Sequence, residues 1–82
     1  MFLSAQISYY PLEEDFKEPV REVIEKLEHS NIEVHPDRMS TQLFGDYDEV
    51  MKVINDAMKW SFENHGKSVF VATFHEGDRR PR

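Results

Sequence analysis

A run of small polar side chains, Met39-Ser40-Thr41-Gln42-Leu43-Phe44-Gly45, is the part of this sequence best suited to chemistry. Serine, threonine and glutamine side chains donate and accept hydrogen bonds, so together they can recognise the edge of a small polar molecule. The side chains of this run also alternate as they do in a β-strand, which would bury some of them. A buried polar group without a hydrogen-bond partner costs about 1–3 kcal/mol. The run therefore predicts a binding site, unless Thr41 is simply a good strand former and Ser40 and Gln42 face water.

Length and charge narrow the class of protein. The chain has 82 residues and no cysteine. On folding, a domain of this size buries only about 60–65% of the surface that its unfolded chain exposes. Small domains without disulfides are commonly stabilised by association with another copy. Ten basic against 16 acidic residues give a net charge of −6, which disfavours nucleic acid and anionic membranes as partners. With no signal-peptide pattern and no membrane-length apolar stretch, we expect a cytoplasmic protein.

Hydrophobic periodicity predicts six secondary-structure elements in the order strand, helix, strand, strand, helix, strand. Strands show two-residue alternation or short apolar runs, and helices show apolar residues three and four positions apart. The elements comprise residues 2–10, 16–28, 32–35, 38–44, 47–64 and 69–74. Asp46, with Glu49 three positions later, predicts the N-cap of the second helix, and Gly66 predicts its end.

This order is typical of the ferredoxin-like fold, an α+β sandwich with both helices on one face of an antiparallel sheet of strand order 4-1-3-2. We expect residues 1–75 to form one domain and residues 76–82 to form a polar, flexible C-terminal tail. The last predicted strand is apolar on both faces, which indicates a second packing partner for the open side of the sheet. Another copy of the chain is the simplest partner.

The fold also predicts where the polar run lies. The first strand and residues 38–44 are neighbours at the centre of the sheet, and we expect them to run parallel. The residues of the first strand that can then lie near the polar run are Ser4, Gln6 and Ser8. The aromatic residues around them are Tyr9, Tyr10, Phe44 and Tyr47. Small polar groups ringed by aromatic faces suit a small, flat, hydrogen-bonding molecule. A water-bridged interface between two subunits has the same composition and stays open as an alternative.

Three segments resemble the thiamine-binding protein family, also called YkoF-like and formerly a family of unknown function. They are Ile7-Ser8-Tyr9-Tyr10-Pro11-Leu12, Met39 to Gly45 with Asp46-Tyr47-Asp48, and His65-Gly66-Lys67-Ser68-Val69-Phe70-Val71. The resemblance covers residues 4–78 and implies a ferredoxin-like domain that dimerises through its sheet and forms tetramers as dimers of dimers. It also implies binding of thiamine or its hydroxymethylpyrimidine half without chemical change. The chain departs from the family pattern at Asp46, where Glu is common, and at Ser68, where Arg is common.

The resemblance, joined to the chemistry of the side chains, predicts a ligand site of eight residues. They are Gln6, Ser8, Tyr10, Ser40, Thr41, Gln42, Phe44 and Asp46. We expect Ser40 and Thr41, with Gln6, to hydrogen-bond the pyrimidine, while the two aromatic rings stack on the ligand and the carboxylate meets the thiazolium charge.

Neither a metal site nor a catalytic site is expected. The four histidines lack metal-binding spacing and lie near element ends, where surface histidines are common. Acids near the start of a helix, such as Asp46 and Asp48, are explained by capping and the helix dipole. We therefore expect no enzyme activity and no catalytic cofactor. Because this fold hosts many functions, an oligomeric regulatory or scaffolding domain without a small ligand is the alternative.

Overall fold

The computed structural model describes residues 1–12, 15 and 17–81. Its elements confirm the predicted order, whereas the predicted first helical residue, Phe16, lies outside the described residues. The elements are β1 Phe2–Pro11, α1 Lys17–Glu28, β2 Glu33–Pro36, β3 Thr41–Asp46, α2 Tyr47–His65 and β4 Ser68–Glu76. Among the described residues, neither helix combines the length and the hydropathy that a membrane span requires.

The four strands form one antiparallel sheet in the order β2-β3-β1-β4, which is the predicted 4-1-3-2 order read from the other edge. β1 is antiparallel to both of its neighbours, so the expectation that it runs parallel to residues 38–44 is wrong. The crossover through α1 makes β2 parallel to β1, and the short connection from β2 to β3 then reverses the chain. β3 must therefore run opposite to β1.

The core lies between the two helices and one face of the sheet. Because side chains alternate along a strand, β1 sends Leu3, Ala5 and Ile7 toward the helices, and none of them is more than 4% exposed. The other buried members of this core are Val23, Leu27, Leu43, Val50, Ile54 and Ala57. Beside it, the hydroxyl oxygens of Tyr9 and buried Ser61 lie 2.6 Å apart, so each polar group has a partner.

β3 differs from its prediction at both ends. It begins at Thr41 rather than at residue 38, and it passes through Gly45 to Asp46 instead of ending at residue 44. The backbone N–H of Asp37 donates to the carbonyl oxygen of Ser40 at 2.8 Å, so residues 37–40 form the tight connection from β2. Asp46 is confirmed as the N-cap of α2, because its carboxylate accepts the backbone N–H of Asp48 at 3.1 Å.

The last strand is longer than predicted and is followed by chain that stays on the sheet. β4 extends from Ser68 to Glu76, two residues beyond the predicted end, so residue 76 belongs to the sheet and not to a tail. Gly77 then takes a φ of 91°, a conformation that residues with a Cβ rarely adopt. This turn directs residues 77–81 back across the sheet.

Candidate functional site

The sheet face opposite the helices carries two rows of side chains that cross all four strands, because paired residues of neighbouring strands share a face. The first row, from β4 to β2, is Thr73, Gln6, Gln42 and His35. The second row is His75, Ser4, Phe44 and Glu33. Amide, hydroxyl and imidazole groups therefore lie side by side across the middle of this open face.

Residues 77–81, which we call the strap, lie over the second row. The backbone N–H of Gly77 donates to the carbonyl oxygen of Phe2 at 2.9 Å. The Ser4 hydroxyl donates to the carbonyl oxygen of Gly77 at 2.8 Å and accepts the backbone N–H of Arg79 at 2.9 Å. Ser4 is consequently only 3% exposed, although it lies on the face that the helices leave open.

Ion pairs of Arg80 hold the outer end of the strap. The Arg80 guanidinium donates to Glu33 on β2 at 3.0 Å and to Asp78 at 2.6 Å, and it lies 4.9 Å from the ring centroid of Phe2. These two carboxylates raise the pKa of Arg80. The hydrogen bond from His35, and after it the one from Arg80, lowers the pKa of Glu33. The strap thus reaches from β4 across β1 to β2.

The sequence predicted residues 76–82 to be a flexible tail outside the domain. The structure places Glu76 in β4 and residues 77–81 against the sheet, where they hydrogen-bond β1 and β2. The flexibility of the strap stays a prediction.

The open face and the strap enclose a groove of about 480 Å³, a size common in small-molecule sites. Gln6, Gln42 and Phe44 lie along it on the central strands, and Arg79 and Pro81 border it from the strap. Its remaining residues are Ser4, Ala5, Thr73 and His75. No aspartate or glutamate is among these described lining residues. The groove therefore offers hydrogen bonds and positive charge.

Three of the eight predicted site residues, Gln6, Gln42 and Phe44, line this groove. Gln6 and Gln42 are directly paired across β1 and β3, and both are exposed. Phe44 is only 6% exposed, and its ring meets the His35 ring edge-on with centroids 5.9 Å apart. Phe44 therefore forms part of the floor and presents little free surface for stacking.

Three further predicted residues lie beyond the groove. Tyr10 is 49% exposed and lies four positions along β1 from Gln6, which is about 13 Å. Ser8 donates its hydroxyl to the carbonyl oxygen of Met39 at 3.2 Å. Ser40 borders a separate small cavity of about 60 Å³ beside α1.

The structure places Thr41 and Asp46 away from the groove. Thr41 pairs with Ile7, is 6% exposed and lies on the helix side, since one step along a strand reverses the face. Asp46 caps α2, and its carboxylate also lies 3.5 Å from the N-terminal nitrogen of Met1. The ligand contacts assigned to all eight residues stay predictions.

The sequence placed Ser4 in the polar patch but not among the eight predicted ligand-site residues. It gave no site role to Thr73, His75 or Arg79. The alternation of β1 does place Ser4 on the same side as Gln6, and extending the alternation of β4 finds Thr73 and His75. Arg79 has no comparable signal, because its place in the groove depends on a hydrogen bond between residues 75 positions apart.

The fold and the groove define a small ferredoxin-like domain with a polar site on its open sheet face. The sequence model of the thiamine-binding protein family matches residues 5–79. The chain belongs to this family, which confirms the resemblance seen in its motifs.

Solved structures share the fold at low sequence identity. A protein from Streptococcus pneumoniae is 18% identical with a TM-score of 0.88, covering 96% of this chain and 90% of that one. A hypothetical protein from Methanocaldococcus jannascii is 23% identical with a TM-score of 0.83, covering 98% and 84%. A protein from Thermotoga maritima, provisionally assigned to thiamine biosynthesis or salvage, is 16% identical with a TM-score of 0.84, covering 94% and 85%. No curated protein matches the chain.

Proposed function

We propose that this protein binds thiamine or its hydroxymethylpyrimidine half in the groove, without performing chemistry on it. The observation that carries the proposal is the in-register pair of Gln6 and Gln42, in a member of the thiamine-binding protein family. Side chains paired in this way lie about 5 Å apart. Two neighbouring amides supply the donors and acceptors that an aminopyrimidine edge requires.

The charge of the groove favours the pyrimidine half as the part that enters. Among the residues that the structure describes, those lining the groove carry no carboxylate and include Arg79, so a cationic thiazolium gains nothing by entering. The neutral aminopyrimidine pairs with the amides, and the thiazolium extends toward solvent. Asp46 lies two positions beyond Phe44 on β3, about 7 Å along the strand, and can attract the thiazolium only from outside the groove.

Exposed apolar residues support self-association through the same sheet face. Tyr10, Val69 and Val71 are 44–53% exposed, and the register places them on the open face beyond the groove. A second copy that covers this apolar patch removes it from water and supplies the stability that a domain of this size needs. We propose a homo-oligomer, either a dimer or a tetramer, in the cytoplasm.

Titration calorimetry with thiamine and with hydroxymethylpyrimidine tests the ligand. We expect saturable heat with the wild-type protein and about tenfold weaker binding by Gln42→Ala, which corresponds to about 1.4 kcal/mol. Asn55→Ala, on the exposed side of α2, is the matched control and keeps the wild-type affinity. Absence of heat with both compounds at millimolar concentration overturns the proposal.

Size-exclusion chromatography with light scattering tests the assembly. We expect an oligomer that Val71→Lys converts to the monomer, because a charge in the patch opposes its burial. If Val71→Lys dissociates the oligomer while neither compound binds the wild type, the protein is a scaffolding domain instead. A monomeric wild type overturns the proposed assembly.

A further inference from the structure

The charge of the groove differs from the charge of the whole chain. The protein has 16 acidic and 10 basic residues, yet the described lining residues include Arg79 and His75 and no acid. A cationic site on an acidic protein concentrates positive potential where a ligand enters and leaves the remaining surface repulsive to anions. This pattern suits a ligand with a localised negative charge.

The two neighbouring arginines of the strap have different surroundings. The Arg80 guanidinium is occupied by Glu33 and Asp78. Within the described part of the chain, the Arg79 guanidinium makes no ion pair, although the Arg79 backbone is held by the Ser4 hydroxyl at 2.9 Å. The fold therefore anchors Arg79, a lining residue of the groove, by its backbone.

Other donors lie near Arg79 on the same face. His75 pairs with Ser4, and Thr73 pairs with Gln6, so an imidazole and a hydroxyl lie about 7 Å apart along β4. A guanidinium binds phosphate through two parallel hydrogen bonds, and imidazole and hydroxyl groups add further donors. This combination is typical of sites for a phosphate monoester.

We infer that the groove selects the phosphate monoester of a flat heterocycle, with the heterocycle on Gln6 and Gln42 and the phosphate on Arg79 and His75. The inference rests on the proposed function, because it assigns the rest of the ligand to the same groove. It adds that phosphorylated compounds bind better than their alcohols.

Calorimetry with matched pairs of compounds tests this preference. The pairs are thiamine with thiamine monophosphate and hydroxymethylpyrimidine with its phosphate. We expect hydroxymethylpyrimidine phosphate to bind about tenfold more tightly than its alcohol, a difference of about 1.4 kcal/mol. The two members of the thiamine pair are expected to differ less, because the phosphate is attached to the thiazolium, which extends toward solvent. Raising the salt from about 0.05 M to about 0.5 M reduces the preference, because exposed charges are then screened.

The variant Arg79→Gln tests whether the preference for phosphorylated compounds depends on Arg79. We expect it to lower the preference to about threefold or less, roughly 0.7 kcal/mol. Arg21→Gln makes the same charge change on the exposed surface of α1, and it keeps the full preference. His75→Gln lowers the preference in the same direction and supplies a second test if Arg79→Gln does not fold.

The outcomes separate the inference from the proposed function. If the alcohols bind and the phosphates bind no more tightly, the inference is overturned and the proposed function stands. If Arg79→Gln folds and keeps the full preference, the assignment of the phosphate to Arg79 is overturned. If no compound binds, the proposed function fails together with the inference.

Discussion

The Ser4 hydroxyl accepts the backbone N–H of Arg79 at 2.9 Å and donates to the carbonyl oxygen of Gly77 at 2.8 Å. One side chain of the first strand therefore holds both a turn and a charged residue of the C-terminal strap. Because Ser4 and Gln6 lie on the same face of β1, this contact places the strap directly beside the paired amides. The groove thus lies between the central strands and the strap.

Ser4→Ala is expected to release the strap. The change leaves the Gly77 carbonyl and the Arg79 N–H without their partner, which costs about 1–2 kcal/mol of unfolding free energy. Urea unfolding measures the loss, and hydrogen exchange shows faster exchange of the Arg79 amide. Ser8→Ala is the control, because the exposed 3.2 Å bond that it removes is worth less than about 0.5 kcal/mol. Unchanged exchange at Arg79 would show that Ser4 does not hold the strap.

Thr41→Val distinguishes the two sides of the sheet. Thr41 faces the helices and Gln42 faces the groove, so we expect Thr41→Val to keep the affinity for thiamine or hydroxymethylpyrimidine. Gln42→Ala weakens the same binding about tenfold. Calorimetry measures both, with circular dichroism to verify folding. If Thr41→Val abolishes binding while Gln42→Ala does not, the ligand lies on the helix side of the sheet.

The Tyr9 and Ser61 pair predicts a coupled effect on stability. Tyr9→Phe keeps the ring that stacks on Phe70 with centroids 4.6 Å apart, but it leaves the buried Ser61 hydroxyl without its partner. We expect a loss of about 1–3 kcal/mol. Adding Ser61→Ala removes the unpaired group and recovers part of this loss, which a double-mutant cycle in urea measures. Purely additive effects would mean that the two hydroxyls do not interact in solution.

Acid is expected to loosen the outer end of the strap. The hydrogen bonds from His35 and then Arg80 lower the pKa of Glu33 from its ordinary value of 4.5. Because the folded pKa is the lower one, the contribution of Glu33 is complete above pH 4.5 and is lost as the pH falls through the folded pKa. Nuclear magnetic resonance of the Arg80 side-chain N–H, followed from about pH 6 to about pH 3, detects the release.

Glu33→Gln is the control for this titration. It removes the ionisable carboxylate of Glu33, so the part of the Arg80 response that comes from Glu33 is absent in the variant, whereas the contact of Arg80 with Asp78 stays. A wild-type signal that stays constant through the same range would contradict the role of Glu33.

Local patterns were sufficient for most of the fold. Alternation along β1 assigned Leu3 and Ala5 to the core and Gln6 to the other face, because a strand has a strict two-residue period. The helix start at Asp46 was also predicted, since capping depends on groups only two residues apart. The predicted parallel direction of β1 and β3 was wrong. Their relative direction depends on two connections together, the crossover through α1 and the short turn from β2 to β3.

The site was only partly predictable. Gln6, Gln42 and Phe44 were predicted for the ligand site and line the groove, because two central strands must bring their facing residues together. Their ligand contacts stay predictions. Thr41 was assigned to the site although it faces the helices, since a shift of one residue in strand phase reverses every side chain. Arg79 was missed because a polar, arginine-rich C-terminal segment gives no local signal of where it packs.

The sequence by itself determined the order of the elements, the apolar faces of the helices and strands, and membership of the thiamine-binding protein family. These features depend on residues close to one another along the chain or on whole motifs. Only the tertiary structure decided which polar residues share the open face and that the strap brings Arg79 to them. The first depends on the register between strands. The second depends on hydrogen bonds between distant residues, such as the one between Ser4 and Arg79, 75 positions apart, which no short-range pattern can encode.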